Sequence, residues 1–405
     1  MDILEKKIEV NSFLPKLALS YLRQEIGFAD LMDFFSHYRH LYSVGIDSNA
    51  ICNLQCGYCY LDKYVLKKGS QYTPIEAYTN AVDQLLTVGT DLVAIVGKEP
   101  FADSRALSLL QHFDKLKNNG MSFRYGLVTN GVLVDRHIDQ IPATINYIDI
   151  SLDGPQEIND AARGSGVYAK ATKNARILSD RGFEVWISSV LHHGMQPPGT
   201  VSRFVKELVE EFGINRFYFS PVRNFTGNLQ PFLLSYSEIA ALQDELINVS
   251  EKIQGLEIIV LDHPYEAVWR DYFFPYIDRP DVVLDRLCVD GFGVVFEPLN
   301  SRVVRKLDVF PHSPWGTARV DAFGNYLADV EARTYETPLS AGNIAVEPDL
   351  LAIQAQAMET SLASILDSFL SNMRNAGAAK REQKALQSVS IPMSESFARL
   401  NRVSA

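Results

Sequence analysis

The sequence predicts an α/β protein with a parallel sheet, and three observations support this. Short strand-like segments alternate with amphipathic helical segments from residue 44 to residue 255. The helical segments run up to glycines, the residue that best tolerates the left-handed conformation at a helix C-terminus. The 405 residues, 47% of them hydrophobic, suffice for a large core. Because strands that alternate with helices pair in parallel through right-handed crossovers, six such units predict a partial (β/α)6 barrel rather than a closed eight-stranded one.

The individual elements follow from local patterns in chain order. Residues 1–43 carry apolar residues at helical spacing, which predicts an N-terminal helical cap. The helix after the first strand has a predicted capping box, Thr73-Pro74-Ile75-Glu76, and the last helix of the core opens at Ser235-Tyr236-Ser237-Glu238. The six predicted strands are Val44–Asp47, Leu92–Val96, Phe123–Val128, Tyr147–Ser151, Val185–Val190 and Arg216–Phe219. The predicted helices run up to Gly89, Gly120, Gly182, Gly213 and Gly255.

The pattern changes after the core, to which we assign residues 44–255. Residues 256–378 predict a C-terminal extension that ends in apolar helices at 346–378. Its stretch Tyr265–Tyr276 is unusually aromatic, which fits core or lid packing better than a cofactor box, with a substrate wall as the alternative. Residues 379–405 are more polar and predict a looser tail.

Composition narrows the functional classes. The net charge of -11, without a long Lys/Arg run, argues against nucleic acid as the main partner. The N-terminus has no apolar core of signal-peptide length and no later segment has about 20 consecutive apolar residues, so we expect neither secretion nor a membrane span. Three of the four cysteines are clustered, which is not a disulfide framework and predicts metal-binding thiolates in a reducing compartment, the cytoplasm.

The clustered cysteines are Cys52, Cys56 and Cys59, at the spacing Cys-x3-Cys-x2-Cys. Thiolates this close repel one another unless a metal takes their charge, and sulfur ligands select zinc, copper(I) or an iron–sulfur cluster. A structural zinc site needs four ligands, and nothing between Cys59 and His112 completes one locally. Three cysteines suit a [4Fe-4S] cluster in which one iron stays open to an exchangeable ligand.

With Tyr58 as the aromatic residue just before the third cysteine, the triplet resembles the signature of the radical S-adenosylmethionine (radical SAM) superfamily. The resemblance implies that Cys52, Cys56 and Cys59 hold a [4Fe-4S] cluster and that S-adenosylmethionine is the second cofactor. It also implies the same fold as the alternation of elements, a partial (β/α)6 radical SAM barrel.

The resemblance further implies cofactor-binding residues at the strand ends. The motif Gly97-Lys98-Glu99-Pro100 is similar to the family's Gly-Gly-Glu-Pro motif, whose backbone and acid bind the amino group of the methionine moiety, and Lys98 departs from it. The third strand ends in Thr129-Asn130-Gly131, which is similar to the family's strand terminus. After the fourth strand, Ser151 and Asp153 would approach the ribose or the methionine.

Two further segments are less complete matches. The segment Asn159-Asp160-Ala161-Ala162-Arg163-Gly164 resembles a His-Asp-x-x-Arg-Gly element of family members that modify peptides, with Asn159 in place of the histidine. In it Arg163 would pair with the methionine carboxylate. Pro221 lies in the stretch that in the family lies along the adenine of the cofactor. A simple loop is an equal alternative for this stretch. His192 and His193 follow the fifth strand and receive no role, because such histidines are more often solvated or satisfied.

The extension resembles the SPASM or twitch extension of the family at residues 320–326 and 338–344. That extension normally carries auxiliary iron–sulfur clusters, but here its cysteines are absent. Asp329 stands at one such position and only Cys288 lies upstream. We therefore expect a SPASM/twitch-like shape with a single cluster in the whole chain. Cys288 is either a buried apolar residue or a catalytic hydrogen donor to a substrate radical.

The resemblance implies an enzyme that cleaves S-adenosylmethionine reductively and abstracts hydrogen from a substrate C–H bond. A peptide or protein side chain is the preferred substrate, and a small natural-product metabolite is the alternative. An electron donor such as flavodoxin or ferredoxin is the implied partner. The alternative from another class is a non-catalytic metal-binding scaffold, which has no need of the ordered Glu99, Ser151 and Arg163 motifs.

Overall fold

The structure is a computed structural model that describes residues 30, 43–59, 71–222, 232–262, 294–308, 317–327, 340–347 and 349–353. Several predictions lie outside these residues. They concern the helical cap over 1–43 apart from residues 30 and 43, the aromatic stretch at 265–276, Cys288, Asp329, most of the helices at 346–378, and the tail at 379–405.

The described strands form one mixed sheet whose centre is the predicted parallel run. The six predicted strands are β1 (Ser43–Asp47), β2 (Leu92–Val96), β3 (Arg124–Thr129), β4 (Tyr147–Ser151), β5 (Val185–Leu191) and β6 (Arg216–Pro221). They lie side by side in chain order, and each pairs with the next in parallel. The α/β class and the parallel order of the six units are therefore confirmed.

Helices connect these strands. They are α1 (Ile75–Thr87), α2 (Arg105–Asn118), α3 (Gln156–Arg163), α4 (Val167–Asp180), α5 (Thr200–Phe212) and α6 (Tyr236–Lys252). Among the described helices, none combines the length and the apolar character that crossing a bilayer requires.

The parallel run continues on both sides of the six strands. β7 (Glu257–Asp262) pairs with β6, and β9 (Val303–Asp308) pairs with β7, while β8 (Val294–Pro298) is antiparallel to β9. On the other side β10 (Thr317–Val320) pairs in parallel with β1 and is followed by antiparallel β11 (Asn325–Leu327) and β12 (Ser340–Asn343). The described strands of the extension thus join the same sheet as the core.

The two faces of the central strands differ in burial because helices cover one of them. On β4, Ile148 and Ile150 have no exposed surface and belong to the hydrophobic core with the helices. The alternating residues Asp149 and Ser151, together with Ser188 on β5, are partly exposed on the opposite, inner face of the barrel. This inner face is therefore not packed solid.

The predicted capping box at Thr73 is wrong. Helix α1 begins at Ile75 with Pro74 as its N-cap and without a side-chain cap. Thr73 instead makes backbone contacts, since its N–H donates to the Ala322 carbonyl at 3.2 Å and its carbonyl accepts from Arg105 at 2.5 Å. Tertiary contacts have replaced the local cap. The predicted start of the last core helix is confirmed, because Ser235 and Glu238 cap α6 reciprocally.

Candidate functional site

The predicted site residues come together at one edge of the sheet. Parallel strands end at the same edge, so the loops after β1, β2, β3 and β4 meet there. The cysteine loop follows β1 and is fastened at Asn49, whose amide nitrogen donates to the Glu99 carbonyl at 2.8 Å. In return the Glu99 N–H donates to the Ile51 carbonyl at 3.0 Å. The loops after β1 and β2 are thus joined in both directions.

The three thiols are free and half-buried. Burial raises the pKa of Cys56 to about 11, although the neighbouring Arg163 guanidinium acts in the opposite direction. Burial also raises the pKa of Cys52, while a hydrogen bond from the Leu54 N–H at 3.3 Å lowers it. Without a cation these two side chains are neutral thiols at pH 7, and a bound metal centre is what would make thiolates of them.

The loop after β2 requires glycine at its first position. Gly97 has φ +124°, and a Cβ there would lie 3.2 Å from the Asn49 carbonyl oxygen. Two residues on, Glu99 has no exposed surface, and burial raises the pKa of its carboxyl. Lys98 between them is partly exposed, and Pro100 opens a short 3-10 turn.

Glu99 ties the loop after β2 to the end of β3. Its Oε1 accepts from the Phe101 N–H at 3.1 Å and from the Thr129 hydroxyl at 2.7 Å. Its Oε2 accepts from the Asn130 N–H at 2.8 Å. A carboxylate has about four acceptor positions, so one on Oε2 remains. The structure thus gives Glu99 a fastening role that the sequence did not predict.

Asn130 carries this connection on to the cysteine loop. Its amide nitrogen donates to the Asn53 side-chain oxygen at 2.8 Å and lies 3.8 Å from the Cys52 sulfur. Its oxygen accepts from the Val132 N–H at 3.0 Å, which fixes the orientation of the amide. Asn130 therefore presents an N–H group to the first cysteine.

Helix α3 contacts the other end of the cysteine loop. The Gly57 N–H donates to the Ala162 carbonyl at 3.1 Å. Burial alone would lower the pKa of Arg163, but Asp153 and the thiols of Cys56 and Cys59 raise it. The guanidinium therefore lies close to two of the three cysteines.

Asp153, just after β4, holds Arg163 of α3 in place. Arg163 Nε is hydrogen-bonded to the fully buried Asp153, whose other oxygen accepts from the Val190 N–H at 2.8 Å. Asp153 thus serves first to hold Arg163 against β5. Asn159, in the position of the family's histidine, accepts from the Asp153 N–H at 3.0 Å. The Asn159 side chain therefore links α3 to the end of β4.

Ser151 ends its strand as predicted, whereas Pro221, predicted to follow the sixth strand, lies within it. Ser151 is the last residue of β4 and is partly exposed on the inner face. Pro221 is the last residue of β6, is buried, and lies beside Leu191 of β5 in the parallel register. The residues after Val222 that would continue the adenine-binding stretch lie outside the described part of the chain.

The sequence analysis assigned no role to His192, which is only 5% exposed. Burial lowers its pKa, and Nδ1 accepts from the Gly194 N–H at 3.1 Å, so the neutral ring carries its proton on Nε2. That Nε2 has no hydrogen-bond partner of acceptable geometry in the described structure, and neither has the hydroxyl of Tyr58. The two rings are 5.6 Å apart, and Phe232 completes the cluster at 5.6 Å from Tyr58.

Sequence reasoning also missed Asp149, on the inner face of the barrel. Its Oδ2 accepts from the Ser188 hydroxyl at 2.6 Å, whereas Oδ1 is enclosed and has no partner within the described residues. Burial raises the pKa of Asp149 to about 6. An acidic residue inside a strand rich in apolar residues was the signal that could have drawn attention to it.

The donor set fits a cluster with thiolate ligands. Three free sulfurs on one loop, N–H groups directed at Cys52 and a guanidinium beside Cys56 provide what thiolates need for charge and hydrogen bonding. In the described part of the chain, no three His, Cys, Asp or Glu side chains are gathered around the position of a single metal ion. The fit of a cluster thus depends on the chemistry of the donors.

The comparison with protein families bears on the same stretch. The model of the radical SAM superfamily matches residues 47–197, which run from the end of β1 past β5. Residues 47–197 therefore form a domain that is similar to those of the radical SAM superfamily. This domain contains the three cysteines, and the family's cofactors are a [4Fe-4S] cluster and S-adenosylmethionine.

Curated relatives match parts of this chain. The GTP 3′,8-cyclase of Synechocystis sp. is 24% identical over 162 residues, which are 38% of this chain and 47% of that protein. The mycofactocin maturase MftC of Mycolicibacterium smegmatis is 32% identical over 139 residues, 33% of each chain. This chain therefore spans less than half the length of the curated relatives it matches.

Solved structures show that the fold likeness extends beyond the radical SAM domain. SuiB of Streptococcus suis superposes with a TM-score of 0.59 at 17% identity, over 88% of this chain and 75% of that one. SuiB bound to the precursor peptide SuiA gives 0.58 at 16% identity, over 80% and 67%. These likenesses confirm the predicted radical SAM fold.

Proposed function

We propose that the protein is a radical SAM enzyme that modifies a peptide or protein side chain. The observation that carries the proposal is the three-cysteine loop at the C-terminal edge of the parallel sheet, fastened to Glu99, Asn130 and Ala162. Cys52, Cys56 and Cys59 would hold a [4Fe-4S] cluster that would supply the electron for reductive cleavage of S-adenosylmethionine, and the cleaved cofactor would supply hydrogen abstraction from a substrate C–H bond. The chain's own residues bind and orient the cofactors and the substrate, and they exclude water from the site.

Cys52, Cys56 and Cys59 hold the cluster. The N–H groups of Leu54 and Asn130 that face the Cys52 sulfur stabilise its thiolate form and influence the reduction potential. Arg163 offsets negative charge at Cys56 and Cys59. With three thiolate ligands, one iron of a [4Fe-4S] cluster would remain open for S-adenosylmethionine.

The methionine end of the cofactor would lie over the loops after β2 and β3. Its amino group would meet the backbone of Gly97, Lys98 and Pro100 and the remaining acceptor position of Glu99, which Thr129 and Asn130 hold in place. Arg163 uses Nε for Asp153, and a guanidinium has five N–H donors, so its terminal groups remain for the carboxylate. Ser151 would bind a ribose hydroxyl, and Tyr58 and Pro221 would flank the adenine.

Two comparisons support opposite substrates. The element around Arg163 resembles one found in peptide-modifying members of the family, and the neighbour SuiB was crystallised with the precursor peptide SuiA. The name GTP 3′,8-cyclase of a curated relative favours a small molecule instead. We retain the peptide as first choice and a small metabolite as second. Either reaction needs a one-electron donor, for which a flavodoxin or a ferredoxin is the expected partner.

The test is anaerobic reconstitution with iron and sulfide, followed by reduction with dithionite in the presence of S-adenosylmethionine. We expect about four irons per chain and formation of 5′-deoxyadenosine, detected by mass spectrometry. Cys56→Ala should abolish both. Cys288→Ala is the matched control, since it removes a cysteine outside the triplet and should keep the iron.

Five outcomes are informative. Full turnover in Cys56→Ala would refute the function, and iron uptake without 5′-deoxyadenosine would favour a metal-binding scaffold. Deuterium transfer from a labelled peptide into 5′-deoxyadenosine would establish the peptide, whereas transfer only from a labelled nucleotide would establish the small molecule. Cys288→Ala with unaltered product would dispose of Cys288 as the hydrogen donor.

A further inference from the structure

One side chain holds both ends of the segment that carries the cysteines. Arg105, the first residue of α2, donates from Nε to the Ser48 carbonyl at 2.7 Å, four residues before Cys52. It also donates from a terminal nitrogen to the Thr73 carbonyl at 2.5 Å, where the chain returns after the cysteine loop. A single guanidinium therefore joins the two ends of the cysteine-bearing segment, at Ser48 and at Thr73.

Two tyrosines hold the guanidinium in place. Its central carbon lies 5.0 Å from the centre of the Tyr72 ring and 5.7 Å from that of Tyr78. The Tyr72 hydroxyl in turn accepts from the Ala50 N–H at 3.2 Å, a second link between the exit and the return. The Tyr78 hydroxyl donates to the Asp321 carbonyl at 2.5 Å. The contacts fix the position of Arg105 from two sides.

We propose that Arg105 is a positioning residue that closes the cysteine-bearing segment and so sets how firmly the three thiols retain their cluster. The inference depends on the proposed function, because it concerns the same cysteines. Two carbonyls in different directions require a planar group with donors along more than one edge, which arginine has and lysine lacks. Closing a segment of this length restricts the relative motion of its ends. The three cysteines lie nearer to the Ser48 end of the segment than to the Thr73 end.

An ordinary stabilising role would also involve hydrogen bonds to Arg105, so the test must separate stability from iron retention. Arg124 provides the matched control. It is likewise the first residue of its element and partly buried, and it pairs with Asp91, but it lies at the N-terminal end of β3, away from the cysteine loop. Loss of either arginine should lower the stability of the apo protein, whereas only Arg105 should affect the iron.

The experiment uses the full chain after anaerobic reconstitution. Iron and sulfide per chain are measured first, and the release of iron to excess EDTA is then followed by absorbance. We expect Arg105→Met to release iron about tenfold faster than wild type, with Arg105→Lys in between and Arg124→Met at the wild-type rate. Should Arg105→Met fail to fold, Arg105→Lys and Tyr72→Phe still report, and each should release iron faster than Arg124→Met.

The possible failures are distinguishable. If the wild-type chain takes up no iron, the proposed function fails and the inference with it. If wild type holds its iron, and Arg105→Met or Arg105→Lys holds it as long as Arg124→Met does, only the inference is overturned. Faster release that merely follows the loss of melting temperature in both Met variants would also overturn it.

Discussion

Two groups of residues around the site differ in how their polar atoms are satisfied. The first, which we call the frame, consists of Asn49, Glu99, Arg105, Thr129 and Asn130. Each makes at least one hydrogen bond to a loop distant in sequence. The second, the unpaired trio, consists of Tyr58, Asp149 and His192, and each has one enclosed polar atom without a partner in the described structure.

The difference indicates which part of the site exists before a ligand binds. A buried polar group that loses its partner costs about 1–3 kcal/mol, and native proteins keep few such groups. The frame avoids that cost within the chain, so the cysteine loop is held without help from the cofactors. The trio does not avoid that cost. A hydrogen bond from a bound group, a water or another segment of the chain to one of its enclosed polar atoms would therefore stabilise the protein most.

The largest effect should come from removing the centre of the frame. Glu99→Ala leaves the buried N–H groups of Phe101 and Asn130 without an acceptor, and we expect a loss of about 3 kcal/mol in the free energy of unfolding. Glu99→Gln keeps the shape and one good acceptor, so it should cost about half as much. Urea unfolding of the apo protein measures both. Equal stability of Glu99→Ala and wild type would show that the frame does not depend on this carboxylate.

The same pair of variants tests the contact with the methionine amino group. In reconstituted protein, Glu99→Gln should weaken S-adenosylmethionine binding while the iron content stays at the wild-type value, because an amide is a weaker acceptor for an ammonium than a carboxylate. An unchanged dissociation constant would leave Glu99 with its fastening role alone.

An intermediate, pH-dependent effect is expected at Asp149. Its pKa is raised from 3.8 to about 6 by burial, so the folded state binds the proton more tightly than the unfolded state. Its contribution to stability is therefore fully present below about pH 4 and is lost as the pH rises through about 6. Because part of the residue is accessible, we expect a loss of about 1–2 kcal/mol between these limits rather than the full value of the shift.

Asp149→Asn removes this titration. The variant should gain on wild type as the pH rises from 4 to 7, as measured by urea unfolding at a series of pH values. The Ser188 hydroxyl donates to Oδ2 and thereby lowers the pKa of Asp149. Ser188→Ala removes this hydroxyl, so the pKa of Asp149 should rise further and the pH dependence of stability should become larger. Parallel curves for wild type and Asp149→Asn would show that Oδ1 is satisfied in solution.

The sequence predicted the parts of the site that depend on backbone geometry. Strand boundaries agree with the structure within one or two residues, because alternation and glycine-terminated helices are local signals. Parallel pairing then brings the motifs to one edge, so the meeting of Glu99, Asn130 and Arg163 near the cysteines could be foreseen. Their partners could not, since each hydrogen bond joins loops that are far apart in sequence.

Two examples show where local reasoning failed. Thr73 has a good capping sequence, yet its backbone binds Arg105 and Ala322, and the latter lies in the C-terminal extension. A lone histidine in a loop is usually solvated or satisfied, whereas His192 is buried against Tyr58 and Phe232 and its Nε2 has no partner in the described structure. A side chain's set of partners is a property of the tertiary structure.

The smallest effect, and the sharpest test of the contrast, comes from two tyrosine hydroxyls. Tyr58 and Tyr78 are both buried, but the Tyr78 hydroxyl donates to the Asp321 carbonyl while the Tyr58 hydroxyl has no partner among the described residues. Tyr78→Phe removes a satisfied hydrogen bond and leaves a buried acceptor, so it should destabilise the apo protein by about 1 kcal/mol. Tyr58→Phe removes an unsatisfied group, so the apo protein should be unchanged or more stable by a few tenths of a kcal/mol.

Addition of S-adenosylmethionine to the reconstituted proteins should then raise the melting temperature of Tyr78→Phe as much as that of wild type, and that of Tyr58→Phe by less. If Tyr58→Phe destabilises the apo protein as much as Tyr78→Phe does, its hydroxyl has a partner in solution, and Tyr58 belongs with the frame.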